Sequence, residues 1–237
     1  MKTADKKVVV ITGAGKGIGR ACALLFAESG YNLAVISRTE SDLKKLKSDC
    51  KKIGSECLTI AGDASDKKTA ELFYKKIDQK FGRIDVLINN AGLFRSESFL
   101  EMSEKLFQSQ WKTNTLSTFI HSQQTAKRMI RQKYGQIINI ISVAAKRSFD
   151  GSAAYGSSKF AQDGLAKVMR DELKPHNIRV TNIYPGAAFT NSWAGSKVDE
   201  NRLMAAADVA NAVFSTVNLD KNVVIEELIL RHVLGDL

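Results

Sequence analysis

A chain of 237 residues with 44% hydrophobic and 25% charged residues has ordinary globular composition, long enough for a full core and suited to one large domain, 1–237. It has no apolar run near the roughly 20 residues of a membrane span and no signal-peptide pattern in its opening MKTADKKVVVITG. A cytoplasmic protein with no membrane partner is therefore expected. The formal charge of +10 sits largely in runs such as KKLKSDCKK, read as solvated helix faces that also attract anionic ligands; without a docking motif or interleaved aromatics, nucleic acid is not an expected partner.

The Val- and Ile-rich run 6–13 reads as a buried strand, followed by a helix over 17–30 with Ile18, Ala21, Leu24, Leu25 and Ala27 at helical spacing. A strand over 32–38 precedes a basic helix over 40–54, whose apolar face carries Leu43, Leu46, Cys50 and Ile53. Strand 56–63, helix 65–82 and strand 84–92 continue the alternation. A long helical segment then runs from 103 to about 133, followed by strand 135–142 and a helix from 152 to about 174. Strand 177–186 ends in a Pro-Gly turn. A loop over 186–204, a helix near 206–217 and a last strand within 222–230 complete the chain. Continuous apolar strands alternating with helices predict an α/β fold: a Rossmann-type, doubly wound parallel sheet of about seven strands, helices on both faces, ligands at the carboxyl ends of the strands.

Cys22, Cys50 and Cys57 lack ligand spacing, as do the three scattered histidines, so the cysteines read as reduced thiols and no metal site is assigned. The stretch TGAGKGIG, from Thr12 to Gly19, joins the first strand to the first helix. Gly13, Gly15, Gly17 and Gly19 permit close backbone approach there, and the helix start at Ile18 offers N–H groups to a pyrophosphate. A carboxylate for a ribose 2′-OH belongs at the end of the second strand, but Ser37 and Arg38 stand there. Arg38, with Lys16 from the glycine loop, suits a 2′-phosphate, which favours NADP(H); both are otherwise surface cations. Asp63, beside Ala64, is either an acceptor for the adenine amino group or a cap for the next helix.

Tyr155 and Lys159, in YGSSK, stand at i and i+4 on one helix face. A free tyrosine has a pKa of about 10, and a neighbouring ammonium is expected to bring it down. Together with TGAGKGIG, NNAG (89–92), Asn114 in KTNTLSTF, Ser142 in IISVAA and YPGAAFT (184–190), this pair resembles the short-chain dehydrogenase/reductase family, with motifs in family order over the whole chain. The resemblance implies hydride transfer between a nicotinamide cofactor and a carbonyl or alcohol, by a tetrad of Asn114, Ser142, Tyr155 and Lys159. It implies that Asn90, Ala91 and Gly92 line the cofactor, with Pro185, Gly186, Ala188 and Thr190 on its nicotinamide and pyrophosphate side. It implies a homodimer or homotetramer through the helices near 103–133 and 152–174.

Within the family, SVAAKRSF, PGAAFTNSW and the tail EELILRHVLGDL resemble the sepiapterin reductases more than the 3-oxoacyl carrier-protein reductases, whose last strand usually ends in a Gly-rich NGG. The expected substrate is a small carbonyl compound of sepiapterin or diketone type; the alternatives are a 3-oxoacyl or broad-specificity carbonyl reductase, or an NADP-binding regulator without turnover. Phe94 and Trp193 are candidate flat walls for that substrate or plain packing residues. Asp236 is either a carboxylate that pairs with a guanidine-like pterin ring or a frayed end.

Overall fold

The computed structural model describes residues 6–190 and 198–237; Trp193 lies outside the described residues. Seven strands form one sheet: β1 Val8–Thr12, β2 Asn32–Ser37, β3 Cys57–Ala61, β4 Val86–Asn89, β5 Gly135–Ile140, β6 Ile178–Pro185 and β7 Glu227–Leu230. Every pairing is parallel and the order is β3-β2-β1-β4-β5-β6-β7. The order reverses between β1 and β4, which opens a crevice at their carboxyl ends, where ligands bind in such sheets.

Alternate strand residues feed two cores, as the two-residue strand period requires. Val9, Ile11, Leu33 and Val35 pack with α1 (Gly17–Glu28), α2 (Glu40–Lys52) and α7 (Ala206–Val217). Val10, Ala34, Ile36 and Leu87 pack with α3 (Lys67–Lys80), α5 (Ser117–Gln132) and α6 (Ala153–Leu173). The buried face of α1 is centred on Cys22, Ala23, Phe26 and Ala27; Ile18, Ala21, Leu24 and Leu25 flank it. The inward face is thus rotated from the one its larger aliphatic residues predict, and it centres on Phe26, which packs edge-on against Tyr31 and Phe214.

Two further differences from the sequence reading have local causes. The helical segment expected over 103–133 is α4 (Glu104–Trp111), one π-helical turn (Lys112–Leu116) and α5 in continuous succession. The last strand begins only at Glu227: the Asp220 carbonyl and carboxylate accept the N–H groups of Val223 and Asn222, closing a turn over Lys221 and Asn222 that occupies the start of the expected strand. No helix among the described residues is long and apolar enough to cross a membrane.

Candidate active site

The carboxyl ends of β1 and β4 are laced together before any ligand is considered. Thr12 Oγ1 accepts the N–H groups of Asn90 and Ala91, each at 3.0 Å, and Asn90 Nδ2 donates to the carbonyls of Thr12 (3.0 Å) and Gly13 (3.1 Å). Asn90 therefore braces the glycine loop with its side chain. Gly13 has φ +69°, and a Cβ on it would stand 2.9 Å from the Ala91 backbone; Gly17 has φ +54° and faces Thr190. The first turn of α1 carries no acidic residue and no side chain caps it, so its leading N–H groups are offered to an anion.

At the end of β2, Arg38 is exposed and makes no ion pair among the described residues. A Cβ on Gly15 would meet Ser37 Oγ at 2.9 Å, which places Ser37 against the loop. Lys16 reaches Asp42 at 3.6 Å. The carboxylate of Asp63 folds back onto Ser65 N–H (2.8 Å) and Oγ (2.7 Å), while Asp66 caps α3. Asp63 is therefore not the helix cap. The Ala64 carbonyl contacts His121 Nε2 at 3.0 Å, and burial pushes that imidazole down to about 4, so it stays neutral. A close-approach glycine loop, a helix start without acidic residues and an exposed arginine fit a phosphate-bearing dinucleotide.

The other end of the rim gathers the four residues expected as a tetrad around α6. Lys159 is buried, and its Nζ donates to the Ile140 carbonyl at 3.3 Å and lies 5.6 Å from the centre of the Tyr155 ring. A Cβ on Gly92 would approach that Nζ at 3.9 Å, which puts the NNAG turn over the ammonium. Ser142, just past the end of β5, accepts the Ala144 N–H at 3.1 Å, and its hydroxyl draws the Tyr155 pKa downward. Asn114 lies in the π turn, fully buried; it accepts from Leu93 N–H (2.7 Å) and donates to the Leu93 carbonyl (3.1 Å) and Ser158 Oγ (2.8 Å). π turns inside α-helices recur at functional sites, where they re-aim a side chain.

The electrostatics differ from the sequence reading. Burial pushes the Tyr155 phenol above its ordinary value, opposed by the Ser142 hydroxyl, and pushes Lys159 down to about 7. The lysine is not the dominant influence on the phenol: desolvation opposes the charged form of both the half-buried Tyr155 and the buried Lys159.

Around this centre, the Phe94 ring meets the Tyr155 ring edge-on at 4.9 Å. Pro185 ends β6, and Gly186 N–H donates to the Leu230 carbonyl at 2.8 Å, while Ala188 bridges Met204. Asp236 is no frayed end: its Oδ2 pairs with Arg231 (2.6 Å) and Arg147 (2.8 Å), and its buried Oδ1 has no hydrogen-bond partner among the described residues. A Cβ on Gly186 would stand 3.3 Å from that Oδ1, which places the carboxylate at the mouth of the β6 turn. Sequence reasoning assigned nothing to Arg147 and Arg231; the one signal was an arginine five residues before Asp236 in the tail.

Residues 7–201 match the family model for short chain dehydrogenases. The chain is 38% identical to the sepiapterin reductase of Chlorobaculum tepidum, over 98% of each. It is 33% identical to a 3-oxoacyl-acyl-carrier-protein reductase of Thermotoga maritima, over 77% of this chain and 74% of that one. Among solved structures, an alcohol dehydrogenase from the archaeon Thermococcus sibiricus, complexed with 5-hydroxy-NADP, superimposes with a TM-score of 0.89 at 31% identity over 97% of each chain. The seven-stranded order, the glycine loop and the matched sequence agree: the chain belongs to the short-chain dehydrogenase/reductase family of oxidoreductases.

Proposed function

We propose that this protein is an NADPH-dependent carbonyl reductase acting on small substrates of the sepiapterin or diketone type. One observation carries the reading: Tyr155 and the buried Lys159 stand one turn apart on α6, with the lysine Nζ 5.6 Å from the centre of the phenol ring, on the same rim as the glycine loop. The cofactor would lie against Gly13, Gly15, Gly17 and the start of α1, with Arg38 and Ser37 at its 2′-phosphate, and it supplies the hydride. Asp63 and Ala64 lie at the end of β3 and suit the adenine; Ala188 and Thr190 suit the far end.

Ser142 donates to the substrate oxygen and holds it at Tyr155. Tyr155, kept as a phenol by burial, gives its proton to that oxygen as charge develops on it. Lys159, poised near neutrality, returns the proton from the water side. The pairing of Arg147 and Arg231 with Asp236 leaves Oδ1 for an N–H of a guanidine-like ring, and Phe94 supplies a flat wall beside the phenol. This favours a pterin carbonyl over an acyl thioester, in keeping with the sepiapterin reductase relative.

The same reading makes the protein a homo-oligomer. An apolar groove runs along α4, the π turn and α6, lined by Phe107, Trp111, Leu116, Phe119 and Leu165. Phe160 and Val168 of α6 are also about half exposed, and a second copy would cover such a face.

The test is NADPH oxidation with sepiapterin, a vicinal diketone, a 3-oxoacyl thioester and a simple aldehyde side by side. Sepiapterin or the diketone should be turned over fastest, and Tyr155→Phe should abolish turnover while NADPH still binds. Substantial turnover by Tyr155→Phe would refute the mechanism; a preference for the thioester would move the protein to the acyl reductases.

A further inference from the structure

Leu93, Phe94 and Arg95 follow the NNAG turn and belong to no strand. They are nonetheless held in the way strand residues are, with side chains in place of a neighbouring strand. Asn114 pairs with both the N–H (2.7 Å) and the carbonyl (3.1 Å) of Leu93. Gln110 does the same to Arg95: its Oε1 accepts the N–H at 3.1 Å and its Nε2 donates to the carbonyl at 3.0 Å. Four helical residues rise about 6 Å, and residues two apart in an extended chain lie about 6.6 Å apart. Amides one turn apart on the helix can therefore clamp alternate residues of the loop.

Phe94 lies between the two clamped residues, and its ring meets the Tyr155 ring at 4.9 Å and Phe149 at 6.4 Å. Gln110 itself is fully buried. An amide there is costly unless its groups are paired, and the partners it finds are the Arg95 backbone. Past Arg95 the loop is tied by a bond of Glu97 N–H to the Gly151 carbonyl, at 3.2 Å. Without Gln110, the backbone around Phe94 would be held by the Leu93 clamp on one side and, on the other, only by the bond at Glu97 three residues on.

We propose that Gln110 is a positioning residue for carbonyl reduction: by clamping Arg95 it fixes Phe94 against Tyr155 and so holds the phenol in line with Ser142. The proposal rests on the assignment of Tyr155 as proton donor. Gln110 touches neither substrate nor cofactor and acts through Phe94.

The experiment follows NADPH oxidation by the full chain with sepiapterin and with a vicinal diketone. Gln110→Met keeps the length and apolar fill but removes both bonds. Its kcat should fall about tenfold, the scale of a small misplacement at a reacting centre, with the KM for NADPH unchanged. In a Phe94→Leu background Gln110→Met should have no further effect, because the residue it positions is gone; additive losses would overturn the proposal. Gln110→Glu should restore kcat, since a carboxyl buried there stays protonated and presents one acceptor and one donor.

Should Gln110→Met fail to fold, Arg95→Pro removes the N–H that Gln110 accepts without touching the core, and it should show the same loss. Wild-type kcat in Gln110→Met, or in Arg95→Pro where it takes that place, overturns the proposal. Turnover surviving in Tyr155→Phe overturns the parent reading and this one together. An inactive Tyr155→Phe beside a fully active Gln110→Met overturns this one alone.

Discussion

Replacing Lys159 by methionine should make the protein more stable, and by an amount that depends on pH. The side chain is 3% exposed and its Nζ donates to the Ile140 carbonyl at 3.3 Å. Burial pushes its pKa from 10.5 to about 7. Between those two values the unfolded chain holds a proton that the folded chain has released, so stability rises with pH across that window. The cost of burying Lys159 is full below about pH 7 and gone above the unfolded value. At about 1.4 kcal/mol per pKa unit, it comes to about 4 kcal/mol at pH 7 and about 2 kcal/mol at pH 9. Losing the Ile140 bond returns about 1 kcal/mol. Urea unfolding of both proteins at pH 7, 8, 9 and 10, without cofactor, should show Lys159→Met ahead by about 3 kcal/mol at pH 7 and the gap closing as pH rises. A gap that stays constant over that range would refute the assignment of the cost to a buried ammonium. The same variant should lose reductase turnover, so stability and activity move in opposite directions.

Arg38→Asp should lower the NADPH-to-NADH preference in kcat/KM by at least about tenfold, the worth of one charge-assisted contact; an unchanged ratio removes Arg38 from the 2′-phosphate. Asp236→Asn should raise the KM for sepiapterin about tenfold and leave that for a small diketone unchanged. An unmoved sepiapterin KM would take Asp236 out of the substrate pocket. Phe119→Asp, on the apolar face of α5, should shift the mass measured by light scattering toward the monomer, and a wild-type protein already monomeric at micromolar concentration would contradict the proposed oligomer.

Much of the fold was legible because one physical signal dominated. The Val- and Ile-rich strands and their helices obey periods of two and 3.6 residues, and seven strands in an all-parallel sheet follow from them. The misses lie where a single polar contact outcompeted the pattern. Asp220 holds Asn222 and Val223 in a turn ahead of β7, and nothing in a β-branched run announces that. The π turn at Lys112–Leu116 escaped notice because the helix continues on both sides of it. In the site, the residue types and spacings of Tyr155, Lys159, Ser142 and Asn114 were readable, whereas Arg147 lies far from Asp236 in the chain and meets it only in the fold.

The sign of the electrostatics was the least readable feature, and it bears on the direction of the chemistry. Spacing on a helix says that Tyr155 and Lys159 are neighbours; it does not say how dry they are. In a wet site the ammonium would prevail and the tyrosine would lean toward phenolate, a base suited to oxidising an alcohol. In this site burial prevails, holding the phenol protonated and the lysine near 7. A protonated phenol is the form that can donate to a developing alkoxide. On the proposed reading, reduction therefore needs no change of state at neutral pH, while the reverse reaction first requires a proton to leave Tyr155 and should gain relative to reduction as pH rises.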